Sequence, residues 1–257
     1  MKKTWEFKNK AEDNDVGELL LYGDIASSTW WGDELTPKQF KKDLDALGNI
    51  KTLNIYINSD GGDVFAAQAM YSMVKRHTAY KNVYIDGIAA SAASFFAMVG
   101  DTIYMPVNAM MYLHNMLAGL MGYYFAKDLR GIADDLDKIK ESVIPVYTEK
   151  TGLTGDEIGE LLDAGTWLTA DDAKVFGFID EIEGEKQVAA SLNDGFLMVN
   201  GQKFDLKNFK SAPKITESPP KNEEKHETSD KPDADRLFIL QKSVELKKSK
   251  FKYLEGN

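Results

Sequence analysis

KNVYIDGIAASAASFFAMVG, residues 81–100, joins a strand signal directly to a helix signal. Residues 81–90 are rich in β-favouring side chains, and the ASFFAMVG segment that follows has the composition of a short buried helix. Ala, Gly and Ser are dense at the junction, which indicates that backbone segments approach one another closely there. Ser91 and Ser94 lie in this junction, so each is either a small packing residue or a nucleophile.

The same alternation of strand and helix signals continues on both sides of this stretch. Strands are predicted at residues 17–25 and 51–59 and as two pieces within 101–115, and helices at 36–48, 63–77, 125–152 and 154–165. Such alternation is typical of α/β proteins whose parallel strands are joined by right-handed helical crossovers. We therefore expect an α/β fold.

Composition restricts the classes of function. A net charge of −10 argues against a nucleic-acid-binding protein, because a phosphate-binding surface needs clustered Lys and Arg. The absence of cysteine excludes disulfides, thiolate nucleophiles and Cys-ligated metals. The sequence also has no metal-ligand cluster and no phosphate-binding Gly-rich motif with a Lys, so we expect neither a metal nor a cofactor.

We find no signal for export or membrane insertion. The N-terminal segment MKKTWEFKNKAEDNDVGELLLYG has two lysines without an apolar core behind them, so it does not have the pattern of a secretory signal. The most apolar run, residues 87–99, is shorter than the roughly 18 residues that a membrane span requires. We expect a soluble cytoplasmic protein without a membrane partner.

The C-terminal part differs in composition from the rest, and we divide the chain accordingly. Residues 1–190 form the main domain, and residues 191–209 are predicted to form a β-hairpin extension turned at an Asn-Gly pair. Residues 210–235 are rich in Pro, Lys, Glu and Ser, which predicts a disordered linker. Residues 236–257 are predicted to form a helical docking segment.

A serine nucleophile needs a base to remove its proton, and histidine is the usual base. The chain has three histidines. His226 lies in the predicted linker, and His77 lies at the charged end of a predicted helix, where we expect it to be exposed to solvent. His114 follows an apolar strand and precedes a Gly-containing loop, which is where α/β proteins place their chemistry. His114 is therefore the candidate base.

The segment INSDGGDVFAA, residues 57–67, places a Gly-Gly turn between a strand and a helix. Glycine lets a substrate approach the backbone, and a helix N-terminus carries a partial positive charge. Gly62 and Ala92 are candidates for the two backbone N–H donors of an oxyanion hole. The stretch GIAAS is not the Gly-x-Ser-x-Gly elbow of the α/β-hydrolases, which argues against that fold.

Four motifs in register resemble the Clp protease proteolytic subunit, and in particular its bacteriophage relatives, the ClpP-like head-maturation (prohead) proteases. The resemblance covers residues 17–183 and rests on YINSDGGDVFAAQAMYSMV, GIAASAASFFAMVG, MYLHN and TWLTADDAKVFGFIDEI. It implies a ClpP/crotonase-like fold, with stacked β-sheets, flanking helices and a protruding handle helix. It also implies that residues 1–190 are a ClpP-like protease domain.

The resemblance assigns roles to the candidate residues. It implies Ser91 as the nucleophile, His114 as the general base, and Gly62 with Ala92 as the oxyanion donors. Ser94 then has a role in helix packing. The reaction implied is peptide-bond hydrolysis by a serine endopeptidase.

One position departs from the family pattern. The third member of the triad is an Asp, or a Glu in many phage relatives, shortly before the motif that reads WLTA here, and this chain has Gly165 at that position. Asp163 is the nearest carboxylate and is our candidate for the third member. The alternative is a Ser–His dyad in which a backbone carbonyl or a water orients the imidazole.

The family also implies partners. The long helix at 125–150 matches the handle through which two rings stack, so we expect a homo-oligomeric ring, in the form of two stacked heptamers where the Clp pattern is followed. The C-terminal extension and the WWG near the first strand resemble the phage branch. They imply capsid or scaffold proteins, or the chain's own tail, as substrates in the cytoplasm of a bacterial host.

Three alternatives remain open at this point. The first is a degradative Clp-type peptidase that works with a AAA+ unfoldase. The second is a crotonase-like acyl-CoA enzyme, which would not need Ser91 paired with His114. The third is a catalytically weakened or inactive assembly protein of the same fold, an alternative that Gly165 keeps open.

Overall fold

The computed structural model describes residues 5–10, 13–27, 36–184, 190–193, 196–199 and 202–205, and in most of this range strands alternate with helices. The strands are β1 Trp5–Lys10, β2 Asp13–Tyr22, β3 Thr52–Ser59, β4 Tyr80–Ala90, β5 Thr102–Pro106, β6 Met110–Leu113, β7 Thr166–Leu168, β8 Glu181–Glu183, β9 Ala190–Asn193, β10 Phe196–Val199 and β11 Gln202–Asp205. The helices are α1 Pro37–Ala46, α2 Val64–Lys75, α3 Ala92–Ala97, α4 Ala126–Thr151, α5 Gly155–Ala164 and α6 Ala170–Val175. The predicted α/β class is confirmed.

An eight-stranded sheet forms the centre of the fold, with a main path in the order β1-β2-β3-β4-β5-β8. Strands β2, β3, β4, β5 and β8 run parallel, and β1 pairs antiparallel with β2 at the edge. Strand β4 is long enough to branch the sheet: residues 82–84 pair with β5, whereas Ile88–Ala90 pair with β6. The last residue of β4 and the end of β6 therefore lie side by side.

The hydrophobic core lies between this sheet and the helices that cover it. Alternate residues of β3 and β4, such as Ile55 and Ile85, have no exposed surface, because a strand covered on one face buries every second side chain. From α1, Phe40 is also fully buried and packs edge-on against Phe7 and Phe96, with ring centroids 5.2 Å and 6.1 Å away. These apolar contacts fix α1 and α3 against the sheet.

Helix ends follow the local signals in the sequence, with one difference. Asp63 caps α2, its carboxylate accepting the backbone N–H of Ala66 at 2.8 Å. Thr154 and Glu157 form a reciprocal capping box at the start of α5. Thr36 occupies the cap position of α1, but its side chain makes no capping hydrogen bond. The start of α1 instead relies on the proline at its first position, whose φ already suits a helix.

Helix α4 is the predicted long helix and spans Ala126–Thr151. Most of it is exposed, and its buried residues are Val143 and Tyr147 near the C-terminal end. The N-terminal half of the helix therefore has little contact with the core. Neither α4 nor any other helix in the described part of the chain is long and apolar enough to cross a membrane.

A separate three-stranded sheet contains β9, β10 and β11 in antiparallel order. Val199 is paired with Gln202, and the predicted Asn-Gly turn at 200–201 lies outside the described residues. The sequence predicted a hairpin, and β9 adds a third strand. The predicted linker, 210–235, and the predicted terminal helix, 236–257, also lie outside the described residues.

Sequence signals missed several elements. Strand β1 is mostly polar, and β7, α6 and β8 contain only three to six residues each. Hydrophobic periodicity can be recognised only in segments longer than these. Their positions depend on partners elsewhere in the chain, as when β8 pairs with β5.

Candidate active site

Ser91 lies at the sharp turn between β4 and α3. Its backbone has φ 54° and ψ −126°, and it is the one non-glycine residue with positive φ in the described part of the chain. Its N–H donates to the carbonyl of Tyr112 at 2.8 Å, and its own carbonyl accepts from the N–H of Ser94 at 3.0 Å. The Ser91 side chain makes no capping hydrogen bond to the helix, and the residue lines a cavity.

Ser94, the other serine of this stretch, is fully buried. Its hydroxyl donates to the Ser91 carbonyl at 2.7 Å and lies 2.9 Å from the hydroxyl of Tyr147. Burial raises the pKa of the Tyr147 hydroxyl above its ordinary value, so that residue is a neutral partner. These contacts join α3 to α4, which agrees with a packing role for Ser94.

His114 follows β6 and lines the same cavity as Ser91. Its Nδ1 lies 2.5 Å from the carbonyl oxygen of Asn115, and its ring stacks on Tyr112 with centroids 5.3 Å apart. A carbonyl oxygen can only accept a hydrogen bond, so Nδ1 carries the proton in this contact. In the neutral ring, Nε2 then holds the lone pair, as a general base requires.

The cavity that contains both residues has a volume of about 680 Å³. One part of its wall is acidic and consists of Asp24, Asp60 and Asp63. The remaining wall is largely apolar, with Phe65, Phe95, Met116, Leu136, Ile139 and Val143. A cavity of this size and lining accommodates a peptide side chain.

The Gly61–Gly62 turn lies against the Ser91 turn. A Cβ at Gly61 would come within 2.8 Å of the backbone nitrogen of Ala92, and a Cβ at Gly62 would lie 2.1 Å from the carbonyl oxygen of Ile25. Only glycine fits either position. The bridge between this turn and Ile25 uses the Gly61 carbonyl and the Asp63 N–H, so the N–H of Gly62 is not needed for that pairing.

Ala92 is the first residue of α3, and the first N–H groups of a helix have no partner within the helix. Both Ala92 and Gly62 line the cavity beside Ser91. The two N–H groups are therefore suitably located for an oxyanion that forms at Ser91. Their assignment as donors remains a prediction.

Asp60 is a feature of this wall that the sequence did not single out. Burial raises the pKa of its carboxyl from 3.8 to about 7, and the charge and hydrogen bond of the neighbouring Asp24 act in the same direction. A carboxyl with this pKa gains and loses a proton near neutral pH. It does so directly beside the glycine turn.

Asp163 and Gly165 lie at the C-terminal end of α5. Asp163 Oδ1 accepts from the side-chain amide of Asn115 at 2.6 Å and from Lys140 Nζ at 2.5 Å. Gly165 ends the helix in the left-handed region, with φ 60° and ψ 74°, and donates to the carbonyl of Leu162. A glycine in place of a carboxylate therefore suits the helix end. Asp163 as the third triad member remains a prediction.

The sequence signals missed Asn115 and Lys140, which surround Asp163. In the sequence, Asn115 is distinguished only by its position next to His114, and Lys140 is one of many charged residues in α4. His77, expected to be exposed, is partly buried, and its Nδ1 accepts the N–H of Ala79 at 3.1 Å. Within the described ranges, no group of three or more His, Cys, Asp or Glu is arranged to hold a metal ion.

Comparison with known proteins agrees with the family predicted from the motifs. A model of the Clp protease family matches residues 38–186. Two similar curated proteins are the ATP-dependent Clp protease proteolytic subunits of two strains of Bacteroides fragilis. Each is 30% identical to this chain over 142 residues, which cover 54% of this chain and 67% and 63% of the two relatives. Because the family model spans more than half of the sequence, this chain belongs to the Clp protease family.

Proposed function

We propose that this protein is a serine endopeptidase in which Ser91 is the nucleophile and His114 the general base. The observation that carries the proposal is the shared cavity. It is lined by Ser91, which lies on a turn with positive φ, by His114, and by Gly62 and Ala92, whose backbone N–H groups belong to the glycine turn and to the start of α3. The protonated Nδ1 of His114 supports the role of base. Membership of a protease family agrees with this chemistry.

The proposed reaction is acyl transfer in two stages. Ser91 Oγ attacks the scissile carbonyl while His114 Nε2 accepts its proton, and the N–H groups of Gly62 and Ala92 stabilise the oxyanion. The intermediate collapses when His114 returns the proton to the leaving amine, which gives an acyl-enzyme. Water, deprotonated by His114, then attacks the ester, and Ser91 is regenerated with release of the second product.

A fluorophosphonate probe tests this proposal directly. Intact mass of the treated wild-type protein should increase by one adduct, located by peptide mapping at Ser91. Ser91→Ala should gain no adduct, whereas the control Ser72→Ala, at an exposed position of α2, should react like wild type. Absence of labelling in wild type would contradict a serine-protease site and would favour the acyl-CoA or inactive alternatives.

For the biological role, we propose cleavage of capsid or scaffold proteins, or of the chain's own tail, during assembly of a phage head in the bacterial cytoplasm. The resemblance of ELLLYGDIASSTWWGDE to the phage branch and the long, polar C-terminal extension support this role. Wild type is expected to cleave a partner or its own tail, and Ser91→Ala is expected not to.

We also propose that the protein forms a homo-oligomeric ring. Sedimentation of the full chain measures the mass of the oligomer.

The second candidate is a degradative peptidase that acts with a AAA+ unfoldase. The observation that favours it is the name of the two Bacteroides fragilis relatives, which are proteolytic subunits of an ATP-dependent protease. Degradation of a folded protein only in the presence of an unfoldase and ATP would support this candidate. Cleavage of capsid or scaffold proteins without ATP would support head maturation instead.

A further inference from the structure

We propose that Asn115 is the positioning residue of this site, linking His114 to the carboxylate of Asp163 through its own backbone and side chain. This inference rests on the proposed function, because it concerns how the proposed base is held. It gives Asp163 an indirect role, through Asn115.

Asn115 makes hydrogen bonds in three directions. Its carbonyl oxygen accepts from His114 Nδ1 at 2.5 Å. Its side-chain Nδ2 donates to Asp163 Oδ1 at 2.6 Å, and its backbone N–H donates to the carbonyl of Leu162 at 3.1 Å. Two contacts attach the residue to the end of α5, and the third orients the imidazole.

The charges around Asn115 fix the direction of its amide. Asp163 Oδ1 also accepts from Lys140 Nζ at 2.5 Å, and only 18% of the Lys140 side chain is exposed. A reversed amide would point Oδ1 of Asn115 at the Asp163 carboxylate, which repels it. In the observed orientation Oδ1 is buried without a hydrogen-bond partner, a state that costs about 1–3 kcal/mol. The contact with Asp163 therefore has to outweigh that loss.

The backbone carries this link to the histidine. The Asn115 carbonyl projects from the same Cα as the side chain, and the two contacts to α5 hold that Cα in place, so the carbonyl oxygen stays within reach of His114 Nδ1. Through this link the Asp163 carboxylate restrains the imidazole even though position 165 holds a glycine. A small misplacement of a catalytic group costs on the order of 100-fold in rate.

The first test is Asn115→Ala in the full chain, measured with a short fluorogenic peptide amide that has an apolar residue before the scissile bond. We expect kcat to fall about 10-fold to 100-fold while KM changes little, because the peptide still binds but the base is misplaced. Asn82→Ala is the matched control, since it removes a 3.0 Å side-chain hydrogen bond to Asn54 on the sheet, away from the cavity. An unchanged kcat in Asn115→Ala, or a change in KM alone, would overturn the inference.

The second test exchanges the two partners and does not depend on the folding of the alanine variant. Asn115→Asp alone places two carboxylates together, and we expect it to lose at least as much kcat as Asn115→Ala. Adding Asp163→Asn restores one donor and one acceptor, so the double variant should regain most of the lost kcat. A double variant no more active than Asn115→Asp would contradict the proposed link.

Fluorophosphonate labelling separates failure of this inference from failure of the proposed function. If wild type does not label at Ser91, the serine-protease proposal itself fails. If wild type labels and Asn115→Ala labels at the same rate, the proposed function stands and only the positioning role of Asn115 is refuted.

Discussion

At the scale of single residues, the site depends on an unusual backbone conformation at Ser91. Ser91 has a φ of 54°, which non-glycine residues avoid, and it is held there by the strand pairing of β4 with β6 and by the start of α3. Strain of this kind amounts to about 1–3 kcal/mol and is found mostly at functional sites. Here it places Ser91 at the N-terminus of α3 and in the wall of the cavity.

Ser91→Gly is expected to raise the free energy of unfolding while abolishing activity. Glycine tolerates positive φ, so the substitution relieves strain of about 1–3 kcal/mol. The greater conformational entropy of glycine in the unfolded chain lowers the free energy of unfolding by only about 0.5–1 kcal/mol. Urea denaturation of both proteins measures the difference. As a control, Ser72→Gly in the exposed interior of α2 should lower stability. A less stable Ser91→Gly variant would show that this turn is not strained.

At the scale of elements, the site is assembled from four connections between strands and helices. They are the β3–α2 turn with Gly62, the β4–α3 turn with Ser91, the loop after β6 with His114, and the end of α5 with Asp163. Parallel pairing of β3 with β4 and of β4 with β6 brings the first three to the same edge of the sheet. Helix α5 contacts this edge through the hydrogen bond from the Asn115 N–H to the carbonyl of Leu162.

Gly62→Ala is expected to lower activity about 100-fold to 1,000-fold, the usual effect of losing one oxyanion donor. The new Cβ would lie 2.1 Å from the carbonyl oxygen of Ile25, so the turn has to move and take the N–H of residue 62 with it. Rates with the fluorogenic peptide measure the loss. Gly131→Ala on α4, where a Cβ has no neighbour within 4 Å, is the control and should retain activity. Full activity in Gly62→Ala would exclude this donor.

At the scale of the whole molecule, the chain is strongly acidic, with a net charge of −10. Asp24 and Asp60 add two neighbouring carboxyls at the cavity, and burial together with Asp24 raises the pKa of Asp60 to about 7. A raised folded-state pKa means that the folded protein binds the proton more tightly than the unfolded chain does. Ionisation of Asp60 therefore destabilises the fold as pH rises from about 4 to about 7.

Asp60→Asn is expected to reduce this pH dependence. Wild type should lose stability between pH 5 and pH 7.5 relative to the variant, because only wild type has to ionise a buried carboxyl in that interval. Thermal unfolding of both proteins at pH 5 and pH 7.5 gives the change in Tm with pH for each, and the two changes are compared. Asp137→Asn on the exposed face of α4 serves as control and should follow wild type. Parallel pH profiles for wild type and Asp60→Asn would contradict the raised pKa.

Local signals in the sequence were sufficient for much of the fold. The long helix predicted at 125–152 is α4, Ala126–Thr151, and the strand predicted at 81–90 is β4, Tyr80–Ala90. These segments are long enough for periodicity and end signals to act together. Short elements such as β7 and β8 escaped prediction, because pairing with a distant strand determines them.

The sequence by itself determined the α/β class, the main helices and strands, and the motifs that identify the Clp protease family. Only the tertiary structure decided which side chains meet: Ser91 with His114 in one cavity, Asp60 with Asp24, and Asn115 between His114 and Asp163. The physical reason is that backbone conformation responds to neighbours along the chain, whereas hydrogen bonds and pKa shifts depend on groups that the sheet and the helix ends bring together from distant positions.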